Sequence, residues 1–133
     1  MDIKSLAVEE TSFLHLRDAN DELLYDGKEP VGITLYGPGT TPYAKASAAK
    51  NNRMLDRLKK KGKADLGADE AVEENATFLA ACTKSFHHLE SGSLQGDALF
   101  KAVYADKSVG FIAEQAAKHI AEWGNFKPAS TKN

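Results

Sequence analysis

The sequence predicts an α+β protein, with a short N-terminal antiparallel β-meander followed by a bundle of about four α-helices. Three observations predict it. Apolar residues in the first forty positions come in short runs parted by turn-forming residues. From position 41 onward they recur at three- and four-residue spacings. Apolar residues make up 42% and charged residues 27% of the 133 positions, the balance of a folded chain rather than a disordered one. This length fits a single domain over 1–126, with the meander in 1–40 and the helical part in 41–126. Residues 127–133, Lys-Pro-Ala-Ser-Thr-Lys-Asn, read as a flexible tail.

The strands come first. Phe13, Leu14 and Leu16, then Leu23, Leu24 and Tyr25, then Val31, Ile33 and Leu35 form three apolar runs. Asp18-Ala19-Asn20-Asp21 and Asp26-Gly27-Lys28-Glu29-Pro30 supply the turns between them. Val31, Ile33 and Leu35 alternate with Gly32, Thr34 and Tyr36, the period of a half-buried strand, and Gly37-Pro38-Gly39 ends it. A three-stranded meander has open edges, which need a cover or a partner.

The helices follow. Thr41 is the expected N-cap, with Pro42 at the first helical position and Gly62 as the stop after about Lys61. This helix is rich in alanine and poor in large side chains, so it gains little from packing within one subunit. A homo-oligomer or a bound partner would supply the missing buried area. A second helix is expected over roughly 68–88, where Val72, Ala76, Leu79, Thr83 and Phe86 make one apolar face. Ser91-Gly92-Ser93 breaks the chain. A short helix over 96–104 carries Leu99, Phe100, Val103 and Tyr104. The last helix, about 107–123, aligns Val109, Ile112, Ala113, Ala116, Ile120 and Trp123, with Gly124 as its stop.

Charge is segregated. Residues 1–41 hold eight acids and three bases, 42–63 hold eight bases and one acid, and 64–75 hold five acids and no base. The whole chain carries 17 basic and 19 acidic residues, a net charge of −2, so no global basic excess points to nucleic acid. Lys50, Arg53, Arg57 and Lys60 or Lys61 line one stripe of the first long helix, beside Met54, Leu55 and Leu58. Phosphate contacts want such a stripe, but no aromatic is interleaved for base stacking. The acidic block that follows can neutralise it within the fold or between subunits. The stripe therefore reads as a structural or protein-contact face rather than a nucleic-acid one.

Reactive chemistry is not visible. The four histidines, His15, His87, His88 and His119, offer at most the pair His119 and Glu122, and zinc wants three or four ligands. His87 and His88, adjacent on the expected helix, diverge by about 100°. Cys82 is the one cysteine and reads as a small buried side chain, with no disulfide available to it. No serine sits in a Gly-x-Ser-x-Gly setting. Gly37-Pro38-Gly39-Thr40-Thr41 lacks the ending of a phosphate loop and reads as a turn and helix cap. No cofactor, metal or catalytic residue is expected. Neither a secretory signal nor a membrane-length apolar stretch is visible, so a cytoplasmic globular protein is expected. Trp123 and Phe126, with Phe111 nearby, either dock the last helix on the body or present an anchor to a partner.

Several segments together carry a resemblance. Gly32-Ile33-Thr34-Leu35-Tyr36-Gly37-Pro38-Gly39 is followed by a helix containing Arg53-Met54-Leu55-Asp56-Arg57-Leu58. Later come Phe78-Leu79-Ala80-Ala81-Cys82-Thr83, then Leu99-Phe100-Lys101-Ala102-Val103-Tyr104-Ala105-Asp106 running into Gly110-Phe111-Ile112-Ala113-Glu114-Gln115, and finally Trp123-Gly124-Asn125-Phe126. This pattern, spread over about residues 2–126, resembles the tail assembly chaperones of long-tailed bacteriophages and prophages. The resemblance implies a non-enzymatic protein of the host cytoplasm, absent from the mature virion. Its client would be the long, aggregation-prone tape-measure protein, handed on to the tail-tube protein. Lys50, Arg53, Met54, Arg57, Leu58, Trp123 and Phe126 are the residues expected to meet a partner. The alternatives are a structural tail or head–tail-joining protein of the virion, or a small nucleic-acid-binding regulator using residues 45–63.

Overall fold

The computed structural model describes residues 1–63 and 65–128. The tail expected over 127–133 lies outside the described residues except for Lys127 and Pro128. The fold class is α+β, as the periodicities predict.

The strands are β1 (Thr11–His15), β2 (Tyr25–Asp26), β3 (Glu29–Pro30), β4 (Gly32–Tyr36) and β5 (Thr83–His87). The helices are α1 (Thr41–Lys61), α2 (Ala68–Ala81), α3 (Gly96–Ala105) and α4 (Gly110–Ala121). Short 3-10 turns cover Ile3–Leu6, Lys107–Val109 and Trp123–Phe126.

The expected meander is corrected by the sheet. Its order is β1-β4-β5, with both pairings antiparallel, so the third strand comes from the half of the chain expected to be purely helical. The middle run of the expected meander is no full strand: Leu23 makes a single bridge to Arg17, Leu24 bonds the Leu16 carbonyl and the Val31 N–H, and Tyr25 opens the two-residue hairpin β2–β3. The helix expected over 68–88 ends at Ala81, and residues 83–87 pair with β4 instead. The reason is tertiary. β4 buries Ile33 and Leu35 completely, and its second edge would stay open without β5. His87 therefore lies on a strand and His88, at φ +60°, just past it, rather than side by side on a helix.

The helices do not form a separate bundle. They cover the inner face of the sheet, with α4 against β4, α3 against β5, and α2 packed on α3. Leu16, Ile33, Leu35, Leu79, Cys82 and Phe126 are the largest wholly buried side chains. Tyr104, also buried, places its hydroxyl 2.8 Å from Thr83 Oγ1, which itself donates to the Leu79 carbonyl. The outer face carries Phe13 and His15, and Phe13 folds over Gly32, where a Cβ would collide with the ring.

Helix boundaries follow local chemistry with two shifts. Thr40, not Thr41, is the N-cap of α1: its hydroxyl accepts from the Tyr43 N–H at 3.3 Å and donates to the Gly37 carbonyl at 2.8 Å. Gly62 closes α1 in the left-handed conformation, φ +71°, its N–H bonding the Leu58 carbonyl. The last helix starts at Gly110 and ends at Ala121, so Gly124 is not its stop; the chain turns at Glu122 into the 3-10 segment that carries Phe126 inward. Gly37 leaves the space that Phe126 fills, since a Cβ there would lie 2.7 Å from the ring.

Candidate functional site

α1 and α2 form a hairpin joined by charge. The basic stripe expected on α1 turns toward α2. Arg53 donates to Glu74 through Nε at 2.9 and 3.0 Å and through Nη2 at 2.6 Å, and Arg57 Nη1 donates to the same carboxylate at 3.1 Å. The Glu74 side chain is only 8% exposed. The hydrogen bonds from Arg53 hold its carboxyl below the usual carboxylate range against the opposing effect of burial, with Arg57 adding to the same shift. Further along, Lys61 meets Glu70 at 3.3 Å, while Glu70 also accepts the Gly67 N–H at the start of α2. Lys50 lies over the Phe78 ring at 5.0 Å. Glu74 and Glu70 of the acidic block thus pair with Arg53, Arg57 and Lys61 of the basic stripe within one chain, and Arg53 and Arg57 are committed to Glu74.

The apolar neighbours point elsewhere. Met54, Leu55 and Leu58 are 41%, 49% and 48% exposed. Only Ala46 of α1 is buried. A stripe of large apolar side chains therefore stands in solvent, beside arginines already taken up by Glu74. Away from this stripe, Trp123 is 54% exposed beside the more exposed Leu6. Phe126, expected with Trp123 as a partner contact, is instead core at 1% exposure. The expected set accordingly divides four ways: Met54, Leu58 and Trp123 are presented to solvent, Arg53 and Arg57 are held by Glu74, Lys50 lies over Phe78, and Phe126 is buried.

A second feature was not visible in the sequence. α4 runs beside the outer edge of β1, and an open groove of about 490 Å³ lies between them. Phe111, Gln115, Lys118 and His119 face it from the helix, one helical stripe, while Leu14, His15 and Arg17 face it from the strand side. Ser12 Oγ lies 2.9 Å from His119 Nε2 and ties strand to helix. Burial pushes the His119 imidazole below its ordinary value, with Glu122 opposing the shift. The Gln115 side chain, one hundred residues from β1 in sequence, is bonded to the backbone of Arg17. Only the three- and four-residue spacing of 111, 115, 118 and 122 could have signalled this face, and it merges with the core stripe of the same helix.

Cys82 is wholly buried, and burial pushes its thiol up to about 11. No three His, Cys, Asp or Glu side chains cluster to hold a metal ion among the described residues. No helix among them is long and apolar enough to cross a membrane. Comparison of the chain with family models, curated proteins and solved structures found no match.

Proposed function

We propose that the chain is a non-enzymatic assembly chaperone of the phage-tail kind. It binds the helical tape-measure protein in the host cytoplasm, keeps it from aggregating, and yields it to the tail-tube protein without entering the virion. The observation that carries this reading is the outer face of α1. Met54, Leu55 and Leu58 stand exposed there, on a helix whose arginines are occupied by Glu74. An amphipathic client helix laid along that stripe exchanges exposed apolar surface on both sides for contact, the logic of helix-in-groove recognition. The stripe is short, so each subunit binds weakly, and many subunits along one long client hold it by number. The small buried content of α1 also favours a homo-oligomer.

The test is co-expression with a tape-measure protein. The client stays soluble and co-purifies with the native chain, and it precipitates with the double variant Leu55→Gln, Leu58→Gln, whose own melting temperature stays unchanged. A client equally insoluble with both proteins, or the chain found as a stoichiometric part of purified particles, overturns the proposal.

A further inference from the structure

The two edges of the sheet are finished differently. At β5, Lys84 is bulged out of register between Thr83 and Ser85, and His88 at φ +60° turns the chain away. Both are devices that stop another strand from adding. β1 carries neither. The Leu16 N–H bonds the Val31 carbonyl and the Gly37 N–H bonds the Glu10 carbonyl, so even-numbered residues of this strand face β4. The odd-numbered residues face outward. At the two ends that outward edge is closed: Glu9 N–H donates to the Phe126 carbonyl at 2.7 Å, and Arg17 is paired by Gln115. Between them, the N–H and C=O groups of Thr11, Phe13 and His15 point away from β4 with no partner among the described residues, and His15 lines the groove.

We propose that this edge is a docking groove for an extended cationic peptide segment, which joins the sheet as a fourth strand between β1 and α4. The backbone supplies the ladder and α4 supplies selectivity, the division of labour in strand addition. Alternate side chains of the added strand drop toward α4, where Phe111 offers an apolar contact. The charges lining the groove are Asp18, Asp21, Glu114 and Glu122 against Arg17 and Lys118, and Glu9 and Glu10 lie just before β1. Arg17 is itself bonded to the Asp21 carbonyl. This excess of acid selects lysine or arginine over glutamate or aspartate in the incoming strand. The inference is independent of the helix-binding face on α1.

The probe is a capped seven-residue peptide alternating lysine and valine, titrated into the full-length protein. It is read by fluorescence polarisation and by amide hydrogen exchange in NMR. Binding slows exchange at Thr11, Phe13 and His15 at least tenfold and leaves Ser12 and Leu14, already bonded to β4, unchanged. The glutamate–valine counterpart binds at least tenfold more weakly. Phe13→Pro removes one outward N–H without touching the β4 ladder and abolishes binding. If that variant does not fold, the double variant Glu114→Lys, Glu122→Lys inverts the preference between the two peptides. Equal binding of both peptides, or no protection at Thr11, Phe13 and His15, overturns the proposal. So does concentration-dependent protection of those amides in the peptide-free protein with a dimer in sedimentation, because the occupant is then a second copy.

Discussion

The side-chain amide of Gln115 pairs with both backbone groups of Arg17: Oε1 accepts the Arg17 N–H at 2.8 Å, and Nε2 donates to the Arg17 carbonyl at 2.8 Å. Nε2 also donates to the Phe111 carbonyl one turn back, which fixes the side chain on its helix. One glutamine thus stands where a neighbouring strand would, and it joins α4 to the end of β1. Gln115→Ala returns these groups to water rather than burying them unpaired, because Arg17 is exposed. The expected loss is about 1 kcal/mol, the scale of ordinary net hydrogen bonds. Urea unfolding measures it, and faster exchange of the Arg17 amide localises it.

Glu74→Gln removes the charge that holds two arginines. Arg53 remains 35% exposed and can rehydrate, so the cost is about 1–3 kcal/mol, below the roughly 3–5 kcal/mol of a fully buried pair. The pH dependence has a definite sign. The folded carboxyl titrates below its unfolded value of about 4.3. Its stabilisation is therefore complete above that value and fades as pH falls through the folded pKa. Chemical denaturation of the native chain from pH 6 down to pH 3 should show this decline, and the variant should show a shallower one.

Phe126 and Trp123 lie three residues apart and behave oppositely. Phe126→Ala empties a filled site against Gly37 and costs about 3–5 kcal/mol. Trp123→Ala removes a side chain that is more than half in solvent and costs about 1 kcal/mol or less. Thermal melts of the two variants, side by side, check the contrast.

Cys82 should resist thiol reagents in the native state, since it is buried and its thiol stays protonated up to about 11. A raised folded pKa stabilises below the unfolded value of about 8.5 and is lost as pH rises toward 11. Labelling with a thiol-specific chromophore at pH 8 should be slow in buffer and fast in urea. Fast labelling in buffer would contradict the burial.

The long helix was legible almost to the residue, because Thr40-Thr41-Pro42 and Gly62 act locally, through a cap and a left-handed stop. Residues 83–87 were not. Thr83 and Phe86 fit the helical spacing of Ala76 and Leu79, but Thr-Lys-Ser-Phe-His also fits an alternating strand, and no glycine or proline marks the junction at Cys82. Pairing with β4, nearly fifty residues earlier, decides the matter, and such a contact leaves no local trace. The candidate site divides in the same way. The basic stripe and its apolar neighbours were readable from α1 alone. That Arg53 and Arg57 both point at Glu74 depends on how α2 returns alongside, as does the separation of Trp123 from Phe126 on the turn at Glu122.

α1 has twenty-one residues and buries only Ala46, so its outer half is fastened by ionic contacts rather than by apolar packing. Ionic strength then becomes a control on one part of the molecule. At about 1 M salt the screening length shrinks to roughly 3 Å, and the partly exposed pairs weaken while the core does not. Local opening of this arm should precede global unfolding. Trypsin should therefore cut first at the lysines and arginines of α1, sooner in high salt than in low, and the two pieces, one carrying β1 and β4 and the other β5 and α4, should stay associated through the sheet as a nicked protein.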